Sequence, residues 1–250
     1  MRTLKLTLAY DGTDYAGWQV QPGRTTIQGT LQDALKQILG EPVNVVGSGR
    51  TDAGVHALGQ VAHARVHSMM PVDRLHRALN ANLGRSIVVL SLDEAPPSFN
   101  AQYDARRKRY RYSIINAPFA LPFEWRYVHR VPIPLNVARM RGELRALIGR
   151  HDFRPFHRAG RIVPDARRTV FFAGLTRRGP RLDIEIEANG FLYMMMRALV
   201  GTLLDVGRGA RPAGTIATIL KTGDRGLVGP TAPARGLCLV SVGYTGPRRR

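Results

Sequence analysis

A carboxylate sits at the centre of the densest chemical signal in the chain. Gly47-Ser48-Gly49-Arg50-Thr51-Asp52-Ala53-Gly54-Val55-His56 lies between two strand-like segments. It gathers glycines that let backbone approach a ligand, a guanidinium, a hydroxyl and the Asp52 carboxylate. No Gly-Lys-Ser/Thr follows, so this is not a Walker-type phosphate loop, and a strand rather than a helix comes next, so it is not a dinucleotide fingerprint. Two readings stand: a ligand-facing loop, or a Gly-rich hairpin turn in which Asp52 is a turn residue.

Gln102 to Tyr112 carries Arg106, Arg107, Lys108, Arg109 and Arg111 against one acid, Asp104, with Tyr103, Tyr110 and Tyr112 interleaved. Such a mixture suits unstacked bases, because the cations hold phosphate and the rings stack. On a strand, Tyr110 and Tyr112 share one face and Arg109 and Arg111 the other. One tyrosine is expected to meet a ligand and the other to pack in the core. In Asn189-Gly190-Phe191-Leu192-Tyr193-Met194-Met195-Met196-Arg197 a lone cation enters an apolar helix start, where burial demands a carboxylate partner. The methionine run reads as core filler. His63 and His67 are four apart but lack a third ligand, so the pattern predicts no metal site.

The elements that must position these residues follow from periodicity. Leu4, Leu6, Leu8 and Tyr10 alternate with polar or small residues as in a strand with one buried face. Thr25 with Gln28 resembles a capping box, opening a helix whose stripe (Ile27, Leu31, Ala34, Leu35, Ile38, Leu39) ends at Gly40. Strands are expected over 43–47 and 60–66, a helix from Pro71 as its first residue through Leu83, and a strand over 86–93. The second half repeats the scheme. A strand is expected over 107–116, and a helix is marked by Val137, Met140, Leu144, Leu147 and Ile148. A hairpin follows over 169–177 and 182–188 around Gly179-Pro180, then a long helix over 191–206, a short helix over 216–221 and a last strand over 237–244. The pattern predicts an α+β fold of two ferredoxin-like (β-α-β-β-α-β) domains with antiparallel-rich sheets, divided at Ala95-Pro96-Pro97-Ser98 into residues 1–98 and 99–250. Arg248-Arg249-Arg250 reads as a basic tail.

Over 250 residues, 37 Lys and Arg face 18 Asp and Glu, a formal charge of +19, while 44% hydrophobic residues supply a real core and exclude global disorder. Only Lys5, Lys36, Lys108 and Lys221 are lysines. Arginine-rich coding explains that preference as well as phosphate chemistry does, but it does not explain the net excess, which points to a polyanionic partner, most simply nucleic acid. Positions 139–168 hold a further Arg-rich surface, read either as a phosphate-binding face or as solvated charge. A single cysteine, Cys238, forms no internal disulfide, and no apolar run is long enough to span a bilayer. A soluble, cytoplasmic, metal-independent protein is expected.

Gly49 to His56 resembles the signature of the bacterial tRNA pseudouridine synthase A family. Tyr10-Asp11-Gly12-Thr13-Asp14-Tyr15-Ala16-Gly17-Trp18-Gln19-Val20-Gln21, Val61 after Gly59-Gln60, Arg109-Tyr110-Arg111-Tyr112 and the stretch from Arg197 to Gly201 fall in the family's order, so the resemblance spans essentially the whole chain. It implies isomerisation of uridine to pseudouridine at positions 38, 39 and 40 of the tRNA anticodon stem-loop by base flipping, without cofactor or metal. It also implies a homodimer, and domains whose sheets join around a basic catalytic cleft. By resemblance Asp52 is the catalytic aspartate, Tyr110 stacks on the uracil, Arg50 helps hold the flipped nucleotide, Arg197 pairs with the aspartate, and Leu237 supports the site. Gln102 stands where relatives commonly carry Arg, and Met194 and Met196 replace a polar and a β-branched residue, changes that bear on RNA docking. A non-catalytic tRNA-binding protein or RNA chaperone of the same fold is the alternative.

Overall fold

The first strand owes its length to strict alternation: in β1 (Arg2–Tyr10) Leu4, Leu6 and Leu8 are fully buried while the residues between them are half-exposed. The computed structural model describes residues 1–157 and 163–245. Part of the Arg-rich surface expected over 139–168 and the whole of the expected 248–250 tail lie outside the described residues.

The chain divides into two compact units, residues 1–106 with the chain from 238 on, and residues 107–237. In the first, β1 is followed by α1 (Ile27–Leu39), β2 (Val45–Gly47), β3 (His56–Val66), α2 (Val72–Asn82) and β4 (Ile87–Ala95), the expected β-α-β-β-α-β order. β3 and β4 flank β1 antiparallel, β2 joins β3 antiparallel, and β10 (Leu237–Gly243) pairs parallel with β3 through Cys238 opposite His56 and Leu239 opposite Ala57. The N-cap of α1 is Thr26, not Thr25: its hydroxyl accepts from Gly29 N. Gln28 makes no capping box, because its side chain spans from Val20 N to Val45 O and ties the helix to β2. Pro71 caps α2 from outside the helix, in an extended conformation, and Val72 is the first helical residue. β3 begins at His56 rather than at residue 60, since its first residues are paired by β10.

The division differs from the one expected at Pro97-Ser98. Residues 99–106 stay with the first unit because Ala101 N donates to His63 Nδ1, Tyr244 OH donates to Ala101 O, and Arg106 N donates to Gly243 O. Phe99 packs between His63 and Tyr244, with Lys5 Nζ against both Phe99 and Tyr244 rings.

In the second unit, β5 (Arg107–Ile115), β9 (Arg181–Ala188), β8 (Arg167–Arg178) and β7 (Gly149–Asp152) lie side by side, all antiparallel, and β6 (His129–Arg130) adds a parallel pair on β5. The β8–β9 turn falls at Gly179-Pro180 as expected. α3 (Val137–Arg145) stops short of Leu147 and Ile148, after which the chain enters β7, a strand too short and polar to show in the sequence pattern. α4 (Met195–Gly207) starts later than expected because Asn189 still pairs with Thr169 at the end of the β8–β9 ladder and Met194 is left-handed, with φ 62°. α5 (Thr215–Thr222) is the short helix; buried Glu143 of α3 accepts from Gly214 N and Ile216 N and so fixes its first turn. Among the described residues the fold is thus mixed α/β, with five helices and mostly antiparallel sheet.

Two histidines, His63 buried and His129 half-buried, give the fold an acid limit. Burial and the neighbouring Arg65 push His63 below the ordinary imidazole value, with Asp104 pulling the other way. Burial, Arg235 and Arg130 lower His129. Unfolded histidine titrates near 6.5, so below that pH the unfolded chain binds more protons, and stability falls as pH drops from about 6.5 toward the depressed folded values. Urea unfolding across this range is expected to show that slope, and the double variant His63→Gln/His129→Gln is expected to flatten it.

Candidate active site

In the first unit, the loop from β2 to β3 is held on both sides of Asp52. On the leading side Ser48 N donates to Val61 O (2.7 Å), and Trp18 N donates to Thr51 O (3.0 Å). On the trailing side Val55 N closes a turn onto Asp52 O (3.2 Å), and Gly54 N reaches Tyr15 O (3.4 Å). Gly12 N donates to His56 Nδ1 and Asp11 Oδ1 lies 3.1 Å from the same nitrogen. The segment from Tyr10 to Gln21 therefore works as the bed of the loop. Gly17 in that bed must be glycine: its φ is +94°, and a Cβ there would lie 2.7 Å from Thr51 O.

Thr51, Val55 and His56 are buried, whereas Asp52 is half-buried and Arg50 is exposed. Buried backbone thus presents one carboxylate and one guanidinium at the surface of the first unit. That arrangement favours the ligand-facing reading over a simple turn, because a turn would not need both flanks sunk in the core.

Below the loop lies a buried polar cluster that sequence reasoning missed. Gln60 on β3, fully buried, accepts at Oε1 from Ser48 Oγ (2.7 Å) and Val61 N (3.1 Å), and donates from Nε2 to Gly49 O (2.9 Å) and Tyr10 OH (3.5 Å). Tyr10 OH and Thr51 Oγ1 are 2.9 Å apart. Burial pushes the Tyr10 hydroxyl well above the ordinary tyrosine value, while the hydrogen bonds from Thr51 and Gln60 pull the other way, so it is a neutral hydrogen-bonding group. The sequence signal for Gln60 was the Gly59-Gln60-Val61 stretch within the family pattern.

The remaining site residues belong to the second unit. Tyr110 on β5 is 9% exposed and meets Phe191 edge to face, with ring centroids 4.9 Å apart. Tyr112 is the packing member of the pair: it is fully buried, and its hydroxyl donates to Pro233 O (2.8 Å). On the other face of β5, Arg109 binds Glu187 at 2.8 Å and Arg107 binds it at 3.2 Å, so these two cations are matched by acids of β9. Their guanidiniums also lie over Phe172 and Phe171.

Arg197 sits in the first turn of α4, half-buried; its Nε donates to Ala232 O (2.7 Å) and its carbonyl accepts from Ala232 N (3.1 Å). One turn on, a Cβ at Gly201 would lie 1.7 Å from Pro230 O, and Thr202 Oγ1 accepts from Gly229 N. Leu237, 5% exposed, opens β10. Met196 is buried core, Met194 is the left-handed residue before α4, and Gln102 is exposed. Among the described residues no group of three or more His, Cys, Asp or Glu side chains converges as metal ligands. No helix among them is long and apolar enough to cross a membrane.

A family model described as tRNA pseudouridine synthase matches residues 7–104 and 144–245, and the chain belongs to that family. The tRNA pseudouridine synthase A of Moorella thermoacetica is 46% identical over 246 residues, covering 98% of this chain and 100% of that protein. Those of Brevibacillus brevis and of Thermoanaerobacter strain X514 are 44% and 43% identical over 244 residues, with the same coverage.

The Gly201 contact generates a stability expectation. Gly201→Ala forces a methyl group into the Pro230 carbonyl, and overpacking of this kind costs roughly 1–3 kcal/mol. A drop of that size in chemical denaturation is expected; an unchanged midpoint would mean that α4 and the 228–233 segment are not packed as described.

Proposed function

We propose that the chain isomerises uridine to pseudouridine in tRNA, at positions 38 to 40 of the anticodon stem-loop, with Asp52 as the catalytic carboxylate. The observation that carries the reading is Asp52 itself: half-buried, on a loop pinned before and after it, within the stretch that the family model matches. The reaction conserves atoms. The bond from C1′ to N1 breaks, the uracil turns, C5 bonds to C1′, and the C5 proton is lost while N1 regains one. A carboxylate stabilises or traps the ribosyl centre while the base is detached, whether it acts at C1′, at C6 or by favouring a glycal. The target base must first leave its stack, and an aromatic ring then holds it.

Tyr110 is the proposed ring, and its hydroxyl, in ionised form, the proposed acceptor of the C5 proton; Tyr112, whose hydroxyl is bound to Pro233 O, is unsuited to the task. Arg50, exposed beside Asp52, is proposed to hold the flipped nucleotide. Arg197 is the proposed counter-ion of the aspartate, and Leu237 a supporting apolar contact. No cofactor or metal is assigned a step. The reading as two ferredoxin-like domains is supported in the first unit by the placement of β4 and β3 on either side of β1, with β2 beyond β3. The partner is tRNA drawn by the charge of +19, and the place of work the bacterial cytoplasm. A homodimer is proposed as well. Phe119, Leu121, Phe123, Trp125 and Tyr127 leave a dense run of exposed apolar side chains, the kind of surface that a second copy covers.

Incubating the protein with unmodified tRNA transcript and mapping pseudouridine by position tests the reading. Asp52→Asn is expected to bind the same tRNA and form no pseudouridine; undiminished turnover in that variant would overturn the mechanism, and a wild-type protein that binds without converting would favour the chaperone alternative. Affinity is expected to fall steeply and linearly in log[salt], because phosphate contacts release counterions. A salt-insensitive Kd would contradict phosphate-led docking.

A further inference from the structure

The Gln60 cluster sits where an apolar core would be simpler to build. Tyr10, Ser48, Thr51 and Gln60 are each 5% exposed or less, and they come from β1, the loop and β3, between the apolar residues Leu8, Ala57 and Val61. Buried polar groups are costly unless every member is satisfied. Here the pattern is closed and the orientation of the Gln60 amide is fixed. Val61 N–H can only donate, so it meets the Gln60 oxygen, and Gly49 C=O can only accept, so it meets the Gln60 nitrogen. The Gln60 amide therefore donates to the Tyr10 oxygen, and the Tyr10 and Thr51 hydroxyls, 2.9 Å apart, share the next hydrogen bond.

The chain of bonds ends one residue before Asp52. It fixes Ser48, Gly49 and Thr51 at three points, and the Thr51 carbonyl is held separately by Trp18 N. Nothing in the proposed chemistry uses these four side chains, and none is exposed enough to meet RNA. What they determine is where the backbone delivers the Asp52 carboxylate.

We infer that Gln60, acting through the Tyr10 and Thr51 hydroxyls, is a positioning residue for Asp52. The inference rests on the reading of Asp52 as the catalytic carboxylate. Misplacing a reacting group by about 1 Å costs on the order of 100-fold in rate, so loosening the loop should lower kcat without altering how tRNA docks.

The test compares Thr51→Val, which keeps the shape and loses the hydroxyl, with Thr51→Ser, which keeps the hydroxyl, and adds Tyr10→Phe and the double variant Tyr10→Phe/Thr51→Val. Single-turnover rates, KM for tRNA transcript and the folded fraction by circular dichroism are measured together, with Asp52→Asn as control. Thr51→Val and Tyr10→Phe are expected to lose on the order of 10- to 100-fold in kcat with KM unchanged while folded. Thr51→Ser is expected to retain most of the rate, and the double variant to be little worse than either single one, because both break the same link. Wild-type kcat in folded Thr51→Val, or fully additive losses in the double variant, would overturn the inference even with Asp52→Asn inactive. An active Asp52→Asn would instead overturn the reading of Asp52 itself.

Discussion

The side-chain amide of Gln60 is the fixed point of the first unit. It touches β1 through Tyr10, the loop through Ser48 and Gly49, and its own strand through Val61, so one planar group sets the spacing of three chain segments in the interior. The rest of that unit can be seen as what makes this group affordable: Leu4, Leu6 and Leu8 on β1, the α1 stripe and the valines of β3 exclude water, which strengthens the hydrogen bonds and raises the cost of breaking any of them. The stretch from Tyr10 to Gln21 completes the arrangement from the other side through backbone contacts, where close approach matters more than side-chain chemistry.

The division of labour between backbone and charge differs in the second unit. Arg107 and Arg109 look, in the sequence, like free cations for phosphate, but the register of β5 on β9 brings Glu187 against both, and the face is largely neutralised from within. The excess of +19 therefore has to be expressed elsewhere on the molecule, and Arg50 beside Asp52 is one exposed place where it is. Composition reported the surplus faithfully but was blind to where it cancels, because cancellation depends on which strands become neighbours.

Much of the fold was legible because its signals are local. The alternation in β1, the stripe and Gly40 stop of α1, and the Gly179-Pro180 hairpin all depend on residues a few positions apart. The misplacements are equally instructive. Thr25 and Thr26 are indistinguishable as caps until the route of the preceding chain is known, and the true start of α4 is hidden because an apolar run says nothing about a left-handed residue such as Met194 or about Asn189 prolonging a ladder. The Asp52 loop announced itself through residue types alone. The partners of Gln60 did not, since Tyr10 lies 50 positions away in sequence and only strand register brings the two together. The end of the first unit is hidden from the sequence for the same reason: a Pro-rich stretch marks a break in regular structure, whereas the unit is closed by the contacts of Ala101 and Arg106 with Tyr244 and Gly243.

That closure bears on the order of events at the ribosome. β10 is synthesised after every other described strand, yet it lies along β3 beside His56 and Ala57, and Tyr244 beyond it secures Ala101. Until those residues emerge, the strand that follows the Asp52 loop keeps an unpaired edge at its very start. The unit made first is thus the unit finished last, and a truncated nascent chain carries the complete Asp52 loop without the strand that seals it. Premature termination late in the message would leave a product with an open edge, which is the feature by which folding intermediates are drawn into aggregation.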